Sequence, residues 1–237
     1  MSHTPSSTDA VEVFMKSWRL YQDIIEHNYM FHREISAAAR AAIDSFEPGK
    51  PLRVIDLGCG DASMALPFLN PDRVILYKGC DLSQPALDIA RTQLTDLGIA
   101  HRLVCDDMRT FVTEQPTASA DVVIASYALH HLNATDKQQL VREVIRTLVP
   151  GGRFLLIDIF REPDEDRVNY MKHYTNQVRN TWVGLSQESQ ALVINHATEF
   201  DFPEHPDFYQ THWQKAGFIP GQLIVKHTWH QAWAFTR

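Results

Sequence analysis

An aspartate and two closely spaced glycines follow a short apolar run, and together they suit the binding of a nucleotide-like ligand. The run Leu52–Leu57 is aliphatic except for Arg53 and Asp56, which predicts a buried strand. Gly58 and Gly60 let the backbone turn sharply and approach a ligand, because they lack a Cβ and adopt positive φ at little cost. The Asp56 carboxylate would repel a pyrophosphate and suits a cation, such as the ammonium of an amino-acid group.

The residues after the glycines predict a helix that points its first amides back at this loop. We expect the helix to run from Ala62 to Leu69 with Asp61 as its N-cap. A strand, a glycine turn and a helix form the opening of a nucleotide-binding βαβ unit. The dinucleotide fingerprint G-x-G-x-x-G is incomplete, because Ser63 stands where it needs glycine or alanine. Both Asp56 and Ser63 therefore disfavour an NAD-dependent oxidoreductase.

Four segments carry a resemblance to a known family. Asp56-Leu57-Gly58-Cys59-Gly60 closely resembles the first motif of the class I S-adenosylmethionine-dependent methyltransferases. Asp81-Leu82-Ser83 resembles the second motif, and the A-L-H-H phrase within Tyr127–Leu132 resembles the fourth. The phrase L-x-P-G-G-x-F-x-x-x-D over Leu148–Asp158 is also similar to this family. The resemblance implies that the cofactor is S-adenosyl-L-methionine and that the product is S-adenosyl-L-homocysteine.

Several residues at the ends of predicted strands are candidates for holding that cofactor. Asp81 follows the glycine turn by about 20 residues, where a carboxylate can accept from two vicinal ribose hydroxyls. By the resemblance, Asp106 accepts from the adenine amino group, with Asp107 beside it, and Met108 covers the adenine face. The expected cofactor-binding residues are Asp56, Gly58, Cys59, Gly60, Asp81, Leu82, Asp106, Asp107, Met108, Ser126 and Arg33.

The N-terminal segment interleaves aromatic, polar and cationic residues. Four of them recur at helical spacing and are most simply explained by packing: Phe14, Trp18, Tyr21 and Ile25. The resemblance implies a helical segment that closes over cofactor and substrate. On that basis Tyr29 and His32 are candidate substrate contacts, and Arg33 is a candidate partner for the cofactor carboxylate. A surface role at a helix junction is an equally open interpretation of these three.

Candidate catalytic residues follow the fourth predicted strand, Asp121–Ser126. Tyr127 and His130 come where an open α/β sheet binds its ligands, and they are expected to face the reactive end of the cofactor. An imidazole suits a general base because its pKa is near neutrality. A structural role for the paired histidines is equally open. His131 and Tyr174 are candidate substrate contacts.

Alternating strands and helices predict an α/β fold, and the resemblance implies a doubly wound, mostly parallel seven-stranded sheet with a C-terminal antiparallel hairpin. We expect one domain with a helical N-terminal lid and a helical insertion after the fifth strand. Its expected parts are a disordered tail (1–9), an N-terminal helical cap (10–47), a cofactor-binding core (52–160), a helical substrate cover (161–216) and a terminal hairpin (217–237).

Composition limits the class of protein. The 237 residues carry a formal net charge of −7, which argues against a generally basic surface for nucleic acid. The sequence contains no run of about 18 apolar residues and no signal-peptide core at its N-terminus, so we expect a cytoplasmic protein that does not bind membranes. The three cysteines form no C-x-x-C pair, and no metal site is predicted.

The expected function is S-adenosylmethionine-dependent methylation of a small molecule by in-line transfer, by a monomer or homodimer. The histidine, tyrosine and tryptophan residues outside the core suit a polar or aromatic acceptor with an amine, imidazole, thiol or hydroxyl group. Two alternatives stay open. One is a non-catalytic S-adenosylmethionine-binding or sensor protein, and the other is a methyltransferase of protein or RNA.

Overall fold

The computed structural model describes residues 18–46 and 48–237, and seven strands form one sheet in it. The strands are β1 Leu52–Leu57, β2 Val74–Asp81, β3 His101–Cys105, β4 Ala120–Ser126, β5 Leu148–Ile159, β6 Gln222–His227 and β7 His230–Thr236. Their order is β3-β2-β1-β4-β5-β7-β6, with β7 antiparallel to β5 and β6 and the other neighbours parallel. The predicted mostly parallel sheet with a terminal hairpin is confirmed.

Helices cover both faces of this sheet. They are α1 (residues 18–26), α2 His32–Asp44, α3 Gln84–Asp96, α4 Met108–Thr113, α5 Ala134–Thr147, α6 Arg167–Thr181, α7 Gln187–Phe200 and α8 Pro206–Ala216. Buried side chains of α2 and α3 pack on one face, and those of α4, α5 and α8 pack on the other. A third apolar cluster joins α1, α6 and α7 beyond β5, so the predicted helical N-terminal segment and helical insertion are both present.

The strand order creates a crevice between β1 and β4. β1 pairs with β2 on one side and with β4 on the other, so successive connections leave the sheet in opposite directions. Every residue of Val122–Ala125 is buried, which explains why β4 is a continuous apolar run rather than an alternating one. Ligands of open α/β sheets bind at the carboxyl ends of such strands.

The helix predicted from Ala62 to Leu69 is wrong. Turns occupy the segment, followed by a 3-10 helix of three residues, Leu66–Phe68. Ala62 adopts a left-handed conformation with φ of 64°, which stops an α-helix at its first residue. Pro67 lacks the N–H that a continuing helix needs.

The N-cap of α5 is Asn133, whose side chain accepts a hydrogen bond from Asp136 N at 2.9 Å. The pairing of β4 with β5 is irregular near the start of β5, because Ala120 pairs with Leu148 while Val122 pairs with Arg153.

Part of the expected N-terminal organisation cannot be compared with the structure. The disordered tail expected over residues 1–9 and the Phe14 end of the aromatic stripe lie outside the described residues. Within the described ranges, none of the helices has the length and apolar character needed to cross a membrane.

Candidate active site

The loop after β1 is fixed to the end of β2. Gly58 and Gly60 have φ of 70° and 53°, as the sharp turn requires. Gly60 N donates to Asp81 Oδ2 at 2.9 Å, and Cys59 N donates to Cys80 O at 2.9 Å. The glycine loop and Asp81 therefore form one unit at the carboxyl edge of the sheet.

Asp81 is oriented by two backbone amides. Besides the bond from Gly60, its Oδ1 accepts from Ser83 N at 2.9 Å. Each carboxylate oxygen can accept more than one hydrogen bond, so both oxygens keep capacity for donors on a ligand. The side chain is only half-buried, which leaves it accessible from the crevice.

Asp56 is a buried carboxylate with one unsatisfied oxygen. The Tyr77 hydroxyl donates to its Oδ2 at 2.5 Å, while Oδ1 has no hydrogen-bond partner. Burial raises the pKa of Asp56 to about 7; the Tyr77 hydrogen bond opposes this rise, and the charge of Asp81 adds to it. A cationic ligand group at this position would favour the ionised form.

A cavity of about 280 Å³ lies above the loop, and we call it the glycine-loop cavity. Seven residues singled out from the sequence line it: Asp56, Gly58, Cys59, Gly60, Asp81, Ser126 and Tyr127. Seven others that the sequence reasoning did not assign to a site complete the lining: Trp18, Tyr21, Asp61, Ser63, Met64, Ser83 and Ala86. Most of these are close neighbours of the predicted motifs in the chain, which is the signal that would have found them.

Asp61 connects α1 to the glycine loop. Its Oδ2 accepts from Trp18 Nε1 at 2.8 Å and from Gln22 Nε2 at 3.1 Å. Its Oδ1 accepts from Ser63 N at 3.0 Å. Asp61 therefore anchors the N-terminal helix instead of capping a following one, and Trp18 and Tyr21 of the aromatic stripe reach the cavity wall.

The residues expected around the adenine lie beside this cavity rather than in its lining. Asp106 N donates to Asp81 O at 3.1 Å, and Asp106 Oδ1 accepts from Asp107 N at 2.7 Å. Asp107 caps α4 and pairs with Arg109 at 2.9 Å. Met108 packs against the loop, with its Cε 3.4 Å from where a Cβ on Gly58 would stand. Leu82 is 75% exposed.

Two cap residues lie away from the cavity. Arg33 is exposed, and its Nη2 donates to Glu26 O at 2.6 Å. The left-handed conformation of Phe31, with φ of 59°, starts α2 so that His32 points inward and Arg33 outward. Tyr29 stacks on Trp182 with ring centroids 5.0 Å apart, and its hydroxyl accepts from Gly184 N.

His32 packs against the rings of Tyr21 and Tyr127 and does not line the glycine-loop cavity. Its ring centroid is 5.9 Å from that of Tyr21 and 5.5 Å from that of Tyr127. Burial lowers the pKa of His32 to about 4, and neither ring nitrogen has a hydrogen-bond partner. His32 is therefore neutral at physiological pH and acts here as a buried aromatic group.

A second cavity of about 590 Å³ adjoins the first, and we call it the histidine cavity. Four residues proposed from the sequence line it: Tyr127, His130, His131 and Tyr174. Its apolar walls come from α1, α6, α7 and the segments beside them: Leu20, Tyr21, Ile24, Met30, Trp182, Leu192 and Val193. Tyr21 and Tyr127 line both cavities.

Tyr127 adopts a conformation that is rare for an aromatic residue. Its φ is 50°, and its N donates to Ile157 O at 2.7 Å. Bulky residues with positive φ are strained, and such strain concentrates at functional sites. The strained turn directs the ring to the boundary between the two cavities.

His130 is held by a buried carboxylate. Its Nδ1 and Asp158 Oδ1 are 2.5 Å apart, and its backbone N donates to Asp158 Oδ2 at 3.1 Å. Burial alone would lower the pKa of His130, but the charge and hydrogen bond of Asp158, together with the charge of Asp201, outweigh burial and raise it. Because Nδ1 is engaged with Asp158, Nε2 is the ring nitrogen left for chemistry in the histidine cavity.

Sequence reasoning did not find Asp201, a buried acidic residue whose Oδ1 lies 3.4 Å from His131 Nδ1 and 3.6 Å from His130 Nε2. It follows α7 and reaches the site because Phe202 N donates to His130 O at 2.7 Å. The segment carried no motif, and long-range contacts such as this one bring it to the cavity.

The chain is similar to known methyltransferases in sequence and in fold. Residues 54–152 match the family model described as "Methyltransferase domain". The chain is 32% identical over 157 residues to a carboxy-S-adenosyl-L-methionine synthase of Actinobacillus succinogenes. The aligned region covers 63% of each chain. The chain is 31% identical over 120 residues to a ubiquinone/menaquinone biosynthesis C-methyltransferase of Vibrio vulnificus, with 49% of this chain and 43% of the relative covered. These matches span less than two thirds of either relative.

One solved structure resembles the chain over its whole length. It is the 1,6-didemethyltoxoflavin-N1-methyltransferase of Burkholderia thailandensis, with bound 1,6-didemethyltoxoflavin and S-adenosylhomocysteine. The likeness has a TM-score of 0.60 and covers 100% of this chain and 92% of the other. At 16% identity it is a likeness of fold.

Proposed function

We propose that the chain is a class I S-adenosylmethionine-dependent methyltransferase that transfers the cofactor's sulfonium methyl group to a small molecule. The match of residues 54–152 to the methyltransferase family model and the likeness of fold support this proposal. The observation that carries the proposal is that Tyr21 and Tyr127 line both cavities. A cofactor in the glycine-loop cavity would thus present its methyl group at the boundary where an acceptor in the histidine cavity begins.

The glycine-loop cavity offers a group for each polar part of the cofactor. The unsatisfied Oδ1 of Asp56 suits the ammonium of the methionine moiety. Asp81, oriented by two amides, suits the ribose hydroxyls. Gly60 leaves room for the ligand to approach the backbone, because a Cβ there would meet nothing within 4 Å.

The reaction would be an in-line displacement. A lone pair on the acceptor forms a bond to the methyl carbon, and the carbon–sulfur bond breaks with its electron pair going to sulfur. The cofactor supplies the activation, while the protein aligns the reacting atoms and excludes water. Tyr127, at the boundary, and His130, whose Nε2 can take the acceptor's proton, are the candidate catalytic residues.

The lining of the histidine cavity supports an aromatic acceptor that is neutral or cationic. Tyr174 and Trp182 offer aromatic surface, and Glu199 and Asp201 supply negative charge. Among the described residues that line this cavity there is no lysine or arginine to receive an anionic acceptor. The walls from α1, α6 and α7 favour a small molecule over a protein or RNA chain.

The similar proteins support a small-molecule acceptor in part. The structurally similar toxoflavin enzyme binds a small heterocycle together with S-adenosylhomocysteine. The name of the Actinobacillus relative instead denotes synthesis of a carboxylated cofactor. Because the described lining offers a carboxylate no lysine or arginine side chain, methyl transfer is the better supported function.

The test has two stages. Calorimetry with S-adenosylmethionine, S-adenosylhomocysteine and NAD should show binding of the first two only. Release of S-adenosylhomocysteine is then followed with a panel of aromatic amines, imidazoles, phenols and thiols. Tyr174→Leu should raise KM for the acceptor, while His173→Ala, on the same helix but exposed and paired with Glu165, should not.

Two results would contradict the proposal. Cofactor binding with no release of S-adenosylhomocysteine for any acceptor in the panel would favour a non-catalytic sensor. Turnover confined to protein or RNA would make the acceptor a macromolecule.

A further inference from the structure

Two histidines and an aspartate meet at the polar end of the histidine cavity. His131 Nδ1 lies 3.4 Å and His130 Nε2 lies 3.6 Å from Asp201 Oδ1. The ligand atoms of the three residues all lie within 4.8 Å of one another. We propose that His130, His131 and Asp201 bind one divalent transition-metal ion beside the acceptor. The catalytic role of this ion rests on the proposed function, whereas its binding does not.

Asp201 supplies an independent reason for an ion. The residue is 5% exposed, and its buried Oδ1 has no hydrogen-bond partner although imidazoles surround it. A third imidazole, that of His196, has its Nε2 3.9 Å from the same oxygen. With metal–ligand distances of about 2.0–2.2 Å, neighbouring ligand atoms of a tetrahedral site stand about 3.4 Å apart. The spacing of Asp201 from its two nearest imidazoles fits an ion placed between them.

The surrounding contacts hold this ligand set in position. His130 Nδ1 is engaged by Asp158, which leaves Nε2 as the metal-facing atom. Asp158 is itself fixed, because its Oδ1 also accepts from Ile159 N at 2.9 Å. A carboxylate behind a histidine ligand is the usual support of such sites, where it sets the tautomer and the ring orientation. The Phe202–His130 backbone bond places Asp201 opposite.

The donor atoms point to a class of ion. Two imidazole nitrogens and one carboxylate oxygen suit zinc and neighbouring first-row ions, while magnesium and calcium prefer sites made of oxygen ligands. Three protein ligands leave an open position on the ion. All three residues line the histidine cavity, so an acceptor bound there would be close to the ion.

An ion bound at this cluster would narrow the chemical class of the acceptor. An acceptor hydroxyl, thiol or imidazole that binds the open position would lose its proton to solvent at neutral pH, because the ion lowers its pKa. The resulting anion would attack the methyl carbon, and the electron pair of the broken carbon–sulfur bond would go to sulfur. His130 then acts as a ligand, and no imidazole has to accept the proton.

The competing arrangement has no ion. In it, His130 carries a proton on each nitrogen and stands as an imidazolium between Asp158 and Asp201. The two arrangements differ in a directly measurable way, since only the first binds a stoichiometric ion.

The experiment uses the full chain after removal of metals with a chelator. Zn²⁺ is titrated by calorimetry, Co²⁺ is followed by its visible absorption, and Mg²⁺ is the comparison ion. We expect one equivalent of Zn²⁺ and of Co²⁺, with no saturable binding of Mg²⁺. Asp201→Asn and His131→Ala should each weaken Zn²⁺ binding by more than about 100-fold, and Asp158→Asn by about 10- to 100-fold. His173→Ala, which removes an exposed histidine outside the cluster, should bind as the wild type does.

Circular dichroism of each variant shows whether its fold is retained, and His131→Ala alters only a half-exposed side chain. Absence of Zn²⁺ and Co²⁺ binding by the wild type, or equal binding by Asp201→Asn and His131→Ala, would overturn the site. Binding of S-adenosylmethionine is measured on the same samples, so failure of the proposed function is distinguishable. Equal methyl transfer by metal-free and Zn²⁺-loaded protein would overturn the catalytic role of the ion.

Discussion

The hydroxyl of Tyr127 donates a hydrogen bond of 2.8 Å to the backbone carbonyl of Met30. This bond fixes the carboxyl end of β4 to the junction between α1 and α2. Since Tyr127 lines both cavities, the same contact sets where the sheet meets the N-terminal helices that enclose them.

Replacing Tyr127 with phenylalanine should separate the role of this bond from that of the ring. Tyr127→Phe leaves the Met30 carbonyl without its donor, so we expect a loss of about 1 kcal/mol in the free energy of unfolding. Chemical denaturation measures it. Tyr170→Phe is the matched control, because it removes a buried hydroxyl that has no hydrogen-bond partner and should not destabilise the protein. Equal losses in both variants would mean that the Tyr127–Met30 bond contributes nothing.

Asp81 should account for a measurable part of cofactor affinity. Asp81→Ala removes both carboxylate oxygens, and we expect binding of S-adenosylmethionine to weaken by about 1.5–3 kcal/mol, the range for hydrogen bonds to charged groups. Calorimetry gives the change. Asp88→Ala is the control, since Asp88 is exposed and, among the described contacts, its side chain bonds only to Gln84. Unchanged affinity in Asp81→Ala would remove Asp81 from the site.

Cofactor affinity should depend on pH through Asp56. Burial raises the pKa of this residue to about 7, so the carboxyl is protonated in the free protein below that pH. A cationic ligand group favours the carboxylate, and binding at pH 6 must therefore release a proton. We expect affinity for S-adenosylmethionine to rise from pH 5.5 to about 7 by up to about tenfold per pH unit, and then to level off.

Calorimetry in buffers of different ionisation enthalpy counts the released proton. Asp56→Asn should abolish both the proton release and the pH dependence. A pH dependence that persists in Asp56→Asn would assign the titration to another group.

Alanine substitutions at the two loop glycines should lower the free energy of unfolding by different amounts. At Gly58 a Cβ would stand 2.7 Å from the Ala128 Cβ, whereas at Gly60 no atom lies within 4 Å. Both positions carry the left-handed penalty of about 1–2 kcal/mol, so Gly60→Ala should lose about that much in the free energy of unfolding. Gly58→Ala should lose more because of the clash. Thermal unfolding without cofactor tests the order, and a reversed order would contradict this account.

The glycine loop and Asp81 were predictable because they depend on short-range geometry. A short crossover that begins with the glycine turn connects β1 to the neighbouring parallel strand β2, and the Gly60–Asp81 hydrogen bond joins the two strand ends. The helix expected at Ala62–Leu69 failed for a local reason that was present in the sequence. Pro67 stands in its interior and is incompatible with a continuous helix.

The histidine cavity was only partly predictable. Tyr127, His130 and His131 follow a recognisable strand, but Asp201 reaches the cavity through packing between α6, α7 and the sheet edge. Contacts between residues far apart in the chain leave no local pattern. Likewise, the side chain of His32 is buried and that of Arg33 is exposed because of the left-handed conformation of Phe31 before α2.

The two cavities have separate origins in the chain, and this bears on how the protein can be altered. The glycine-loop cavity is built mainly from the segment that matches the family model, while the apolar walls of the histidine cavity come mainly from α1, α6 and α7 outside it. Only Tyr21 and Tyr127 are common to both linings. On the proposed function, substitutions in α6 and α7 would therefore change which acceptor fits and would leave the lining of the glycine-loop cavity unaltered.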